Sequence, residues 1–464
     1  MSDSDQEFDV LVLGFGKAGK TIAMARAKAG DRVALIEKSP DMYGGTCINV
    51  GCVPTKTLLT DAHLHSSART AAAAGVGSEG GDADALSAAQ DRRDTLIGKL
   101  NAVNKKLADD AGVTVIDGDA EFTGPKDVRI TGGPDELTVT AQTIIINTGS
   151  VPVRPPIPGI DDPRVLDSTQ VQHVPTHPSQ LAIVGGGPIG LEFATMFAQF
   201  GTSVTVLDGS EQFLARFDRD VAEQVRADLE KLGITILSGA KVSGFTSDDD
   251  GVTVSHDGGE LKADYALLAV GRRPATDGLG LEAAGIATTE RGAVEVDEHL
   301  QTNVEGVYAA GDVNGGPQFT YVSFDDHRVI TSAVWGDGSR TTSGRIVPSS
   351  TFITPPLSQV GLGEDAARED AEGRGHTLDV RSKNIADIPI MPRPKILGEP
   401  EGIAKFLIDV EDDRILGCTL YCVDSQELIN LVTVAMTQSV PASALGSAIY
   451  THPSSSEVFN ALLA

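Results

Sequence analysis

Residues 8–19, with the sequence FDVLVLGFGKAG, decide the fold of this chain. The apolar run that opens the stretch predicts a buried parallel strand, and the glycines after it predict a tight turn into a helix. A second apolar run, residues 32–36, ends at Glu37, which lies 18 positions after the last glycine of the turn. In this pattern the glycines let a pyrophosphate approach the helix N-terminus, and the carboxylate accepts hydrogen bonds from a ribose.

The same pattern returns further along the chain. An apolar run at residues 181–184 precedes the turn GGGPIG at 185–190, and a second run at 203–207 ends at Asp208, again 18 positions after the last glycine. One such turn alone is weak support for a nucleotide site, because ordinary strand-to-helix turns share it. Two complete units predict two dinucleotide sites. The Asp208 carboxylate repels the 2′-phosphate of NADP and so favours NADH, although Arg216 leaves NADPH open.

The first unit is followed by a pair of cysteines in GGTCINVGCVPTK, residues 44–56. The spacing of Cys47 and Cys52 alone does not distinguish a reactive thiol pair from buried free thiols or a zinc site. A helix predicted to begin near Thr46 would direct its positive end at the thiols and favour thiolate. On a regular helix the Cα atoms of Cys47 and Cys52 would be about 8.7 Å apart, beyond the ~7 Å limit for a disulfide. A bridging pair therefore requires an irregular turn. Lys56 would lie one turn after Cys52, on the same face.

Length and charge exclude several classes of protein. The 464 residues suffice for about three domains, and 65 acidic against 37 basic residues give a net charge of −28. This charge argues against nucleic acid or an anionic membrane as a partner, and favours solubility or a high-salt cytoplasm. We expect no leader or membrane span and a reducing cytoplasmic location, since neither an apolar leader nor a long apolar window is present. In that compartment a cysteine pair is more often catalytic or metal-binding than structural.

Together with Gly311-Asp312 and the segment HPSSSE at residues 452–457, these motifs resemble the class I pyridine nucleotide–disulfide oxidoreductases. This is the family of dihydrolipoamide dehydrogenase, glutathione reductase and mercuric reductase, and the resemblance spans the whole chain. Four segments are closer to one branch, the bacterial reactive-chlorine-resistance flavoproteins described as copper(II) and hypothiocyanous acid reductases. They are residues 14–21, 318–321, 354–358 and 422–427.

The resemblance implies an α/β fold with two Rossmann-like dinucleotide-binding domains, for FAD and NAD, and a C-terminal α+β dimerisation domain. The FAD domain is expected in two parts, residues 1–150 and 271–344, around an NAD(P)-binding domain at 151–270. The dimerisation domain is expected at 345–464, where alternating apolar and polar residues predict a mainly antiparallel sheet.

The resemblance also implies a relay from NADH through flavin to a Cys47–Cys52 disulfide. Cys52 would be the charge-transfer thiol near the flavin and Cys47 the thiol that meets the substrate. Lys56 and Glu192 would form an ion pair beside the flavin. His452, oriented by Glu457, would act as acid–base group in the partner subunit of a homodimer.

The cofactor contacts follow from the same motifs, and no metal site is expected. The residues expected to bind FAD are Gly14, Gly16, Gly19, Glu37, Lys38, Gly45, Thr46, Lys56, Thr148, Gly149, Gly311 and Asp312. The residues expected to bind NAD are Gly185, Gly187, Ile189, Gly190, Glu192, Asp208 and Gly271.

The expected substrate is a small-molecule oxidant, either hypothiocyanous acid or reactive chlorine species, or Cu(II) or Hg(II). Dihydrolipoamide dehydrogenase is disfavoured, because 354–357 reads TPPL without the family's carboxylate and 319–322 reads FTYV in place of an Ala-His-Lys-like run. Mercuric reductase is disfavoured because the chain ends in FNALLA and not in a cysteine pair. Mercuric reductase, dihydrolipoamide dehydrogenase and a low-molecular-weight disulfide reductase remain the enzymatic alternatives, and a flavin-bearing thiol redox sensor is the non-enzyme alternative.

Three expectations concern residues outside these motifs. Residues 71–90, rich in Ala, Gly, Ser and Asp, predict a loose surface connection. His63 and His65 are expected to be exposed, because residues two apart on a helix point away from each other. Cys418 and Cys422 are expected to be buried as small apolar residues, with a metal relay as the alternative.

Overall fold

The computed structural model describes residues 5–76, 81–133 and 136–464. Elements up to residue 153 are β1 (Asp5–Leu13), α1 (Lys17–Lys28), β2 (Val33–Glu37), α2 (Thr46–Asn49), α3 (Cys52–Ala73), α4 (Asp82–Asp110), β3 (Thr114–Asp117), β4 (Asp119–Phe122), β5 (Asp127–Thr131), β6 (Leu137–Ile146) and β7 (Ser150–Pro152). Elements in 154–270 are β8 (Val165–Leu166), β9 (Gln180–Val184), α5 (Pro188–Gln199), β10 (Ser203–Asp208), α6 (Arg219–Lys231), β11 (Thr235–Ser238), β12 (Val242–Asp248), β13 (Gly251–His256), β14 (Gly259–Ala263) and β15 (Tyr265–Leu268).

The remaining elements complete the chain. In 271–345 they are β16 (Arg272–Pro274), β17 (Val307–Ala309) and α7 (Thr320–Trp335). In 346–464 they are β18 (Ser349–Thr351), β19 (Leu357–Gly361), α8 (Glu364–Gly373), β20 (Leu378–Asn384), α9 (Arg393–Leu397), β21 (Ile403–Asp409), β22 (Arg414–Tyr421), α10 (Ser425–Thr437), α11 (Ala442–Gly446) and α12 (Glu457–Leu463). Single 3-10 turns lie at Pro40–Met42, Gln170–His173, Gly311–Asn314 and Ile385–Asp387.

The described residues fall into two compact units. The first contains Met1–Thr57, Ala89–Val153 and Gly271–Arg345, and the second contains Leu58–Ala88, Arg154–Val270 and Ile346–Ala464, in each case as far as they are described. Within the described ranges, no helix is both long enough and apolar enough to cross a bilayer.

The first unit is built on a sheet in the order β3-β2-β1-β6-β5-β4, with β17 also paired to β6. β1 pairs in parallel with β2 and β6. Leu11 and Leu13 pack into one apolar cluster, while Val10 and Val12 pack into another. A strand with both faces buried is typical of a parallel sheet covered on both sides, which explains the nearly continuous apolar run of β1.

The second unit holds two further sheets that bear on function. The all-parallel sheet β11-β10-β9-β15-β8 carries the second glycine-rich turn between β9 and α5. The sheet β18-β19-β22-β21-β20 is antiparallel throughout, as predicted. The α/β fold expected from the sequence is confirmed. Cys418 and Cys422 lie buried in the apolar core beside the antiparallel sheet, which also confirms the apolar interpretation of that pair.

Two minor expectations are wrong. The segment 71–90 is not a loose connection where it is described, because α3 continues to Ala73 and α4 begins at Asp82; residues 77–80 lie outside the described residues. His65 is not exposed: its side chain is 9% exposed, its Nε2 lies 2.7 Å from Asp82 Oδ1, and its ring centroid lies 6.1 Å from that of Phe200. The composition of residues 71–90 does not show that helices extend into this segment from both sides. The spacing of the histidines does not show which residues of other elements contact them.

Candidate active site

The two cysteines flank a break between helices. Cys47 lies in the single turn of α2, the chain leaves helical geometry at Val50, and Cys52 is the first residue of α3. The N–H of Gly51 donates to the carbonyl of Thr46 at 2.7 Å, which closes the turn that joins the helices. The irregular turn that a bridging pair requires is therefore present. Both cysteines are free thiols in this structure.

The two thiols differ in electrostatic environment. The pKa of Cys47 is raised, first by its hydrogen bond to Cys52 and then by burial. Cys52 is exposed and stands at the N-terminus of the 22-residue helix α3, where the helix dipole favours negative charge. In the reduced pair, this arrangement leaves the proton on Cys47 and the charge on Cys52.

A short aromatic segment lies beside Cys52. Thr320 Oγ1 is 3.9 Å from Cys52 Sγ, and the rings of Phe319 and Tyr321 stack with centroids 5.0 Å apart. Burial and then the charge of Cys52 raise the pKa of Tyr321. The sequence assigned no role in the site to these three residues, although they belong to one of the segments shared with the flavoprotein branch.

Lys20 is a further residue to which the sequence assigned no role in the site. It lies in the first turns of α1, is only 6% exposed, and donates to Asn104 Oδ1 at 2.5 Å and to the carbonyl of Gly44 at 3.5 Å. Burial, and then repulsion from Lys17, lowers the pKa of Lys20 to about 8. Its proximity to the cysteine loop depends on Asn104, from α4, and could not be predicted from spacing.

The first glycine-rich turn is held by Asn147, which follows β6 and was also missed. Asn147 Oδ1 accepts from the N–H of Gly19 at 2.9 Å, and its amide donates to the carbonyl of Ala310 at 2.6 Å. Gly14 has φ +97°, so only glycine is relaxed there. The Glu37 carboxylate accepts from the N–H of Phe15 at 2.9 Å.

Glu37 also accepts from the N–H of Lys38 at 2.8 Å, and burial raises the pKa of Glu37 despite these bonds. Glu37, at the end of β2, is a buried carboxylate hydrogen-bonded to the glycine-rich turn, and this is the arrangement that the ribose of a dinucleotide requires. Gly45 lies against the same turn, because a Cβ there would come within 2.9 Å of Gly16 Cα. The residues present therefore fit FAD.

Four of the other expected FAD residues follow the carboxyl ends of β6 and β17: Thr148, Gly149, Gly311 and Asp312. Asp312 accepts from Ser150 Oγ at 2.6 Å, and Arg272 Nε donates to the same hydroxyl at 2.9 Å. Gly311, with φ +74°, donates its N–H to the buried carboxylate of Asp326 at 2.7 Å. Thr148 Oγ1 donates to the carbonyl of Ala275 at 2.8 Å, and Gly149 has φ +75°. Thr46 begins α2, and Lys56 lies one turn after Cys52 on α3.

In the second glycine-rich turn the three glycines have different surroundings. A Cβ on Gly185 or Gly190 would collide with backbone, at 2.4 Å from the Ala269 carbonyl and 2.0 Å from the Gly185 carbonyl respectively, whereas a Cβ on Gly187 would meet none of the described protein atoms within 4 Å. Asp208 ends β10 and its carboxylate faces the turn, because a Cβ on Gly186 would lie 2.7 Å from its Oδ2. Open space at the middle glycine and a carboxylate beside the turn fit a nicotinamide dinucleotide.

Three more residues are expected to bind NAD: Ile189 and Glu192 lie in or next to this turn, and Gly271 lies between β15 and β16. Ile189 is the second residue of α5, and Gly271 has φ +120°, where a Cβ would have no neighbouring atom of the described chain within 4 Å. Glu192 is buried on α5, and its Oε1 accepts from the N–H of Phe352 at 3.0 Å. A surface position for Glu192 is thereby excluded.

His452 and Glu457 form a hydrogen-bonded pair. His452 Nδ1 lies 2.9 Å from Glu457 Oε1, and the N–H of Ser454 donates to Glu457 Oε2 at 3.0 Å. Burial disfavours the charge on Glu457, but these hydrogen bonds outweigh it and lower the pKa of Glu457. The His452 side chain is 69% exposed, so its ring is accessible to other molecules.

The glycine at the second position of each turn allows a matched prediction. Gly16 and Gly187 both have extended backbone, with φ −64° and −80°. A Cβ at Gly16 would lie 2.3 Å from Asn147 Oδ1. We expect Gly16→Ala to cost about 1–3 kcal/mol of stability through overpacking and to lower the flavin content.

The measurements are thermal unfolding and the flavin-to-protein absorbance ratio. Gly187→Ala is the control: it should keep the wild-type melting temperature and flavin ratio but raise KM for the nicotinamide substrate. A Gly16→Ala protein with wild-type melting temperature and full flavin would contradict the packing argument.

Comparison with known proteins identifies the class. The family model described as pyridine nucleotide-disulphide oxidoreductase matches residues 8–326, and the model of its dimerisation domain matches residues 347–463. The chain belongs to this family. It is thus a flavoprotein disulfide oxidoreductase, an enzyme whose cofactors are FAD and NAD(P)H.

Individual relatives narrow the comparison. The probable pyridine nucleotide-disulfide oxidoreductase RclA of Escherichia coli is 43% identical over 98% of each chain. A dihydrolipoyl dehydrogenase of Halobacterium salinarum is 33% identical over 97% of this chain and 94% of its own. The mercuric reductase of Staphylococcus aureus is 30% identical over 93% and 77%. A solved structure, the Cu(II) complex of the HOCl-induced flavoprotein disulfide reductase RclA from Escherichia coli, superposes with a TM-score of 0.91 at 42% identity over 99% of both chains.

Proposed function

We propose that the chain is an NADH-dependent reductase in which a redox-active Cys47–Cys52 disulfide, once reduced to the dithiol, reduces a small oxidant: hypothiocyanous acid or reactive chlorine species, or Cu(II) or Hg(II). The observation that carries the proposal is the helix break that brings the two thiols into a hydrogen bond. The flavin part would be residues 1–150 and 271–344, the NAD part 151–270 and the dimerisation part 345–464. We place the enzyme in the reducing cytoplasm.

The chain's own residues account for the chemistry at sulfur. With hypothiocyanous or hypochlorous acid, the Cys47 thiolate would attack sulfur or chlorine and release hydroxide, and Cys52 would then displace thiocyanate or chloride as the disulfide closes. With a metal, both thiols would bind the ion, and closing the disulfide would pass two electrons to one Hg(II) or to two Cu(II) ions. Charge on Cys52 and the proton on Cys47 is the resting state that the helix dipole and the hydrogen bond favour. FAD, when bound, supplies the two-electron chemistry that returns the disulfide to the dithiol at the expense of NAD(P)H.

The preference for NADH rests on Asp208. Its carboxylate faces the glycine turn from the end of β10, where an NADP 2′-phosphate would be repelled. Lys56 and Glu192 are proposed to pair beside the flavin. Glu192 is already fixed by the N–H of Phe352.

His452 is proposed to serve the thiols of a second copy of the chain. Glu457 fixes the ring so that its other nitrogen is free to exchange a proton, which is the role of an acid–base pair. Ile449, three residues earlier, is fully exposed, and Leu431 and Val434 expose apolar surface on α10. Apolar groups of this kind in the family's dimerisation region support a homodimer.

The alternatives are weaker. The chain is 43% identical to RclA over 98% of both chains. Its identity to the dihydrolipoyl dehydrogenase of Halobacterium salinarum and to the mercuric reductase of Staphylococcus aureus is lower by ten percentage points or more. RclA is described as HOCl-induced and as a Cu(II) complex, which supports a small inorganic oxidant here. A low-molecular-weight disulfide reductase is the remaining enzymatic alternative. A flavin-bearing redox sensor without rapid turnover is disfavoured because the relatives are oxidoreductase enzymes.

A substrate panel tests the proposal. Under anaerobic conditions, NADH oxidation is followed with hypothiocyanite, Cu(II), Hg(II), glutathione disulfide, other small disulfides, and in reverse with dihydrolipoamide and NAD. We expect hypothiocyanite or Cu(II) to give the highest kcat/KM. Preferred turnover of lipoamide or glutathione disulfide would refute the assignment, and slow turnover of every compound would favour the sensor.

A further inference from the structure

Lys20 is a buried cation whose described partners are neutral. Its ammonium donates to the Asn104 amide oxygen at 2.5 Å and to the Gly44 carbonyl at 3.5 Å. Burying an ammonium without a carboxylate costs free energy, whereas a methionine of similar length would fill the same space without that cost. A residue that opposes stability in this way, next to reactive groups, is a candidate for a functional charge.

The position of Lys20 is defined by the cysteine loop. Gly44 lies three residues before Cys47, and a Cβ on Gly44 would come within 3.1 Å of Asn104 Cγ, so the loop packs directly onto the amide that holds the lysine. Asn101, one turn earlier on α4, donates to Asn49 Oδ1 at 3.2 Å, and Asn49 Nδ2 donates to the Gly45 carbonyl at 3.0 Å. The loop and the ammonium are therefore held in one network that leaves little freedom to move apart.

Lys20 interacts electrostatically with the Cys47 side chain, in addition to its hydrogen bond to the backbone of the cysteine loop. The ammonium favours ionisation of Cys47, and a Cys47 thiolate in turn favours the protonated lysine. The groups that act on Lys20 are Lys17 from its own helix and Cys47 from α2, while α4 contributes the neutral amide of Asn104.

We propose that Lys20 is a positioning residue for Cys47: from beneath the cysteine loop its ammonium stabilises the Cys47 thiolate and makes this thiol the reactive nucleophile. The step it assists is the loss of the Cys47 proton, to solvent in the alkylation test below and to the proposed acid–base histidine in turnover, which leaves negative charge on sulfur near the ammonium. The inference rests on the proposed role of Cys47 in attack on the oxidant. Lys20 offsets part of the rise in the Cys47 pKa that burial and Cys52 cause.

The test measures the thiol itself. In the flavin-loaded Cys52→Ser enzyme, the rate of Cys47 alkylation by iodoacetamide is followed from pH 6 to 10; Cys418 and Cys422 are buried and do not compete. We expect Lys20→Met and Lys20→Gln to slow alkylation at pH 7 by about tenfold, the effect of one pKa unit, and to leave the rate at pH 10 nearly unchanged. Equal alkylation rates at pH 7 in the Cys52→Ser parent and in both Lys20 variants of it would overturn the proposal.

Two further variants make the test specific. Lys20→Arg keeps the charge and should retain neutral-pH reactivity, so a slow Lys20→Arg with full flavin would also refute the idea, even if the neutral variants fail to fold. Lys17→Met is the matched control. It removes a cation from the same helix turn, where Lys17 lies over the Phe324 ring at 4.6 Å, and should not slow alkylation.

Alkylation does not depend on which oxidant the enzyme reduces. Failure of the substrate panel with a confirmed Lys20 effect would refute the assigned substrate and keep the thiol argument. The converse result would refute only the role of Lys20.

Discussion

Cys52→Ser is expected to lower turnover by roughly a thousandfold or more, as for other residues that act as one catalytic unit, and to abolish the long-wavelength absorbance of the reduced enzyme. Cys47→Ser should lose turnover to the same extent but keep that absorbance. The reason is the position of the charge: Cys52 stands at the N-terminus of α3, and Cys47 retains the proton of the pair. A thiolate must be present beside the flavin for the band to appear.

The measurement is an anaerobic titration with NADH or dithionite, monitored through the long-wavelength region of the flavin spectrum, together with steady-state NADH oxidation. Cys418→Ala is the matched control, since it removes a cysteine buried in the core of the antiparallel sheet. It should retain both the band and turnover. A band that survives in Cys52→Ser and disappears in Cys47→Ser would reverse the assignment of the two thiols.

His452→Gln is expected to lower turnover by roughly a hundredfold to ten-thousandfold, the usual contribution of a positioned acid–base group, and to remove an ionisation from the pH profile of kcat/KM. Glu457→Gln should have a smaller effect, because the histidine remains while its orienting carboxylate becomes a neutral amide. His376→Gln is the control, since His376 forms a similar pair with Asp409, at 3.0 Å, on β21.

Mixed dimers decide whether His452 acts on the partner. When Cys47→Ser and His452→Gln chains are co-expressed and the heterodimer is isolated, one of its two sites would combine intact cysteines with an intact His452 from the other chain. We expect about half of the wild-type activity per dimer, although each homodimer is nearly inactive. No recovery in the heterodimer would show that His452 serves the thiols of its own chain.

Much of the fold and part of the site follow from local sequence. The glycine spacing of residues 14–19 and 185–190, the apolar runs before them, and the carboxylates 18 positions later all act within one strand-turn-helix-strand unit. The break between Cys47 and Cys52 and the His452–Glu457 pair are likewise contacts between residues close in sequence. Short-range geometry constrains such features, so the sequence alone determined them, and with them the class of enzyme.

The tertiary structure alone decided which residues surround the thiols. Lys20 meets Asn104 from 84 positions away, Gly19 meets Asn147 from 128, and Cys52 meets Thr320 from 268. No periodicity or spacing encodes these contacts, because they form only when elements far apart in the chain pack against one another. The sequence therefore determined the class of enzyme and predicted a dithiol relay, and the packing of distant segments determined which charged and aromatic side chains surround the two thiols.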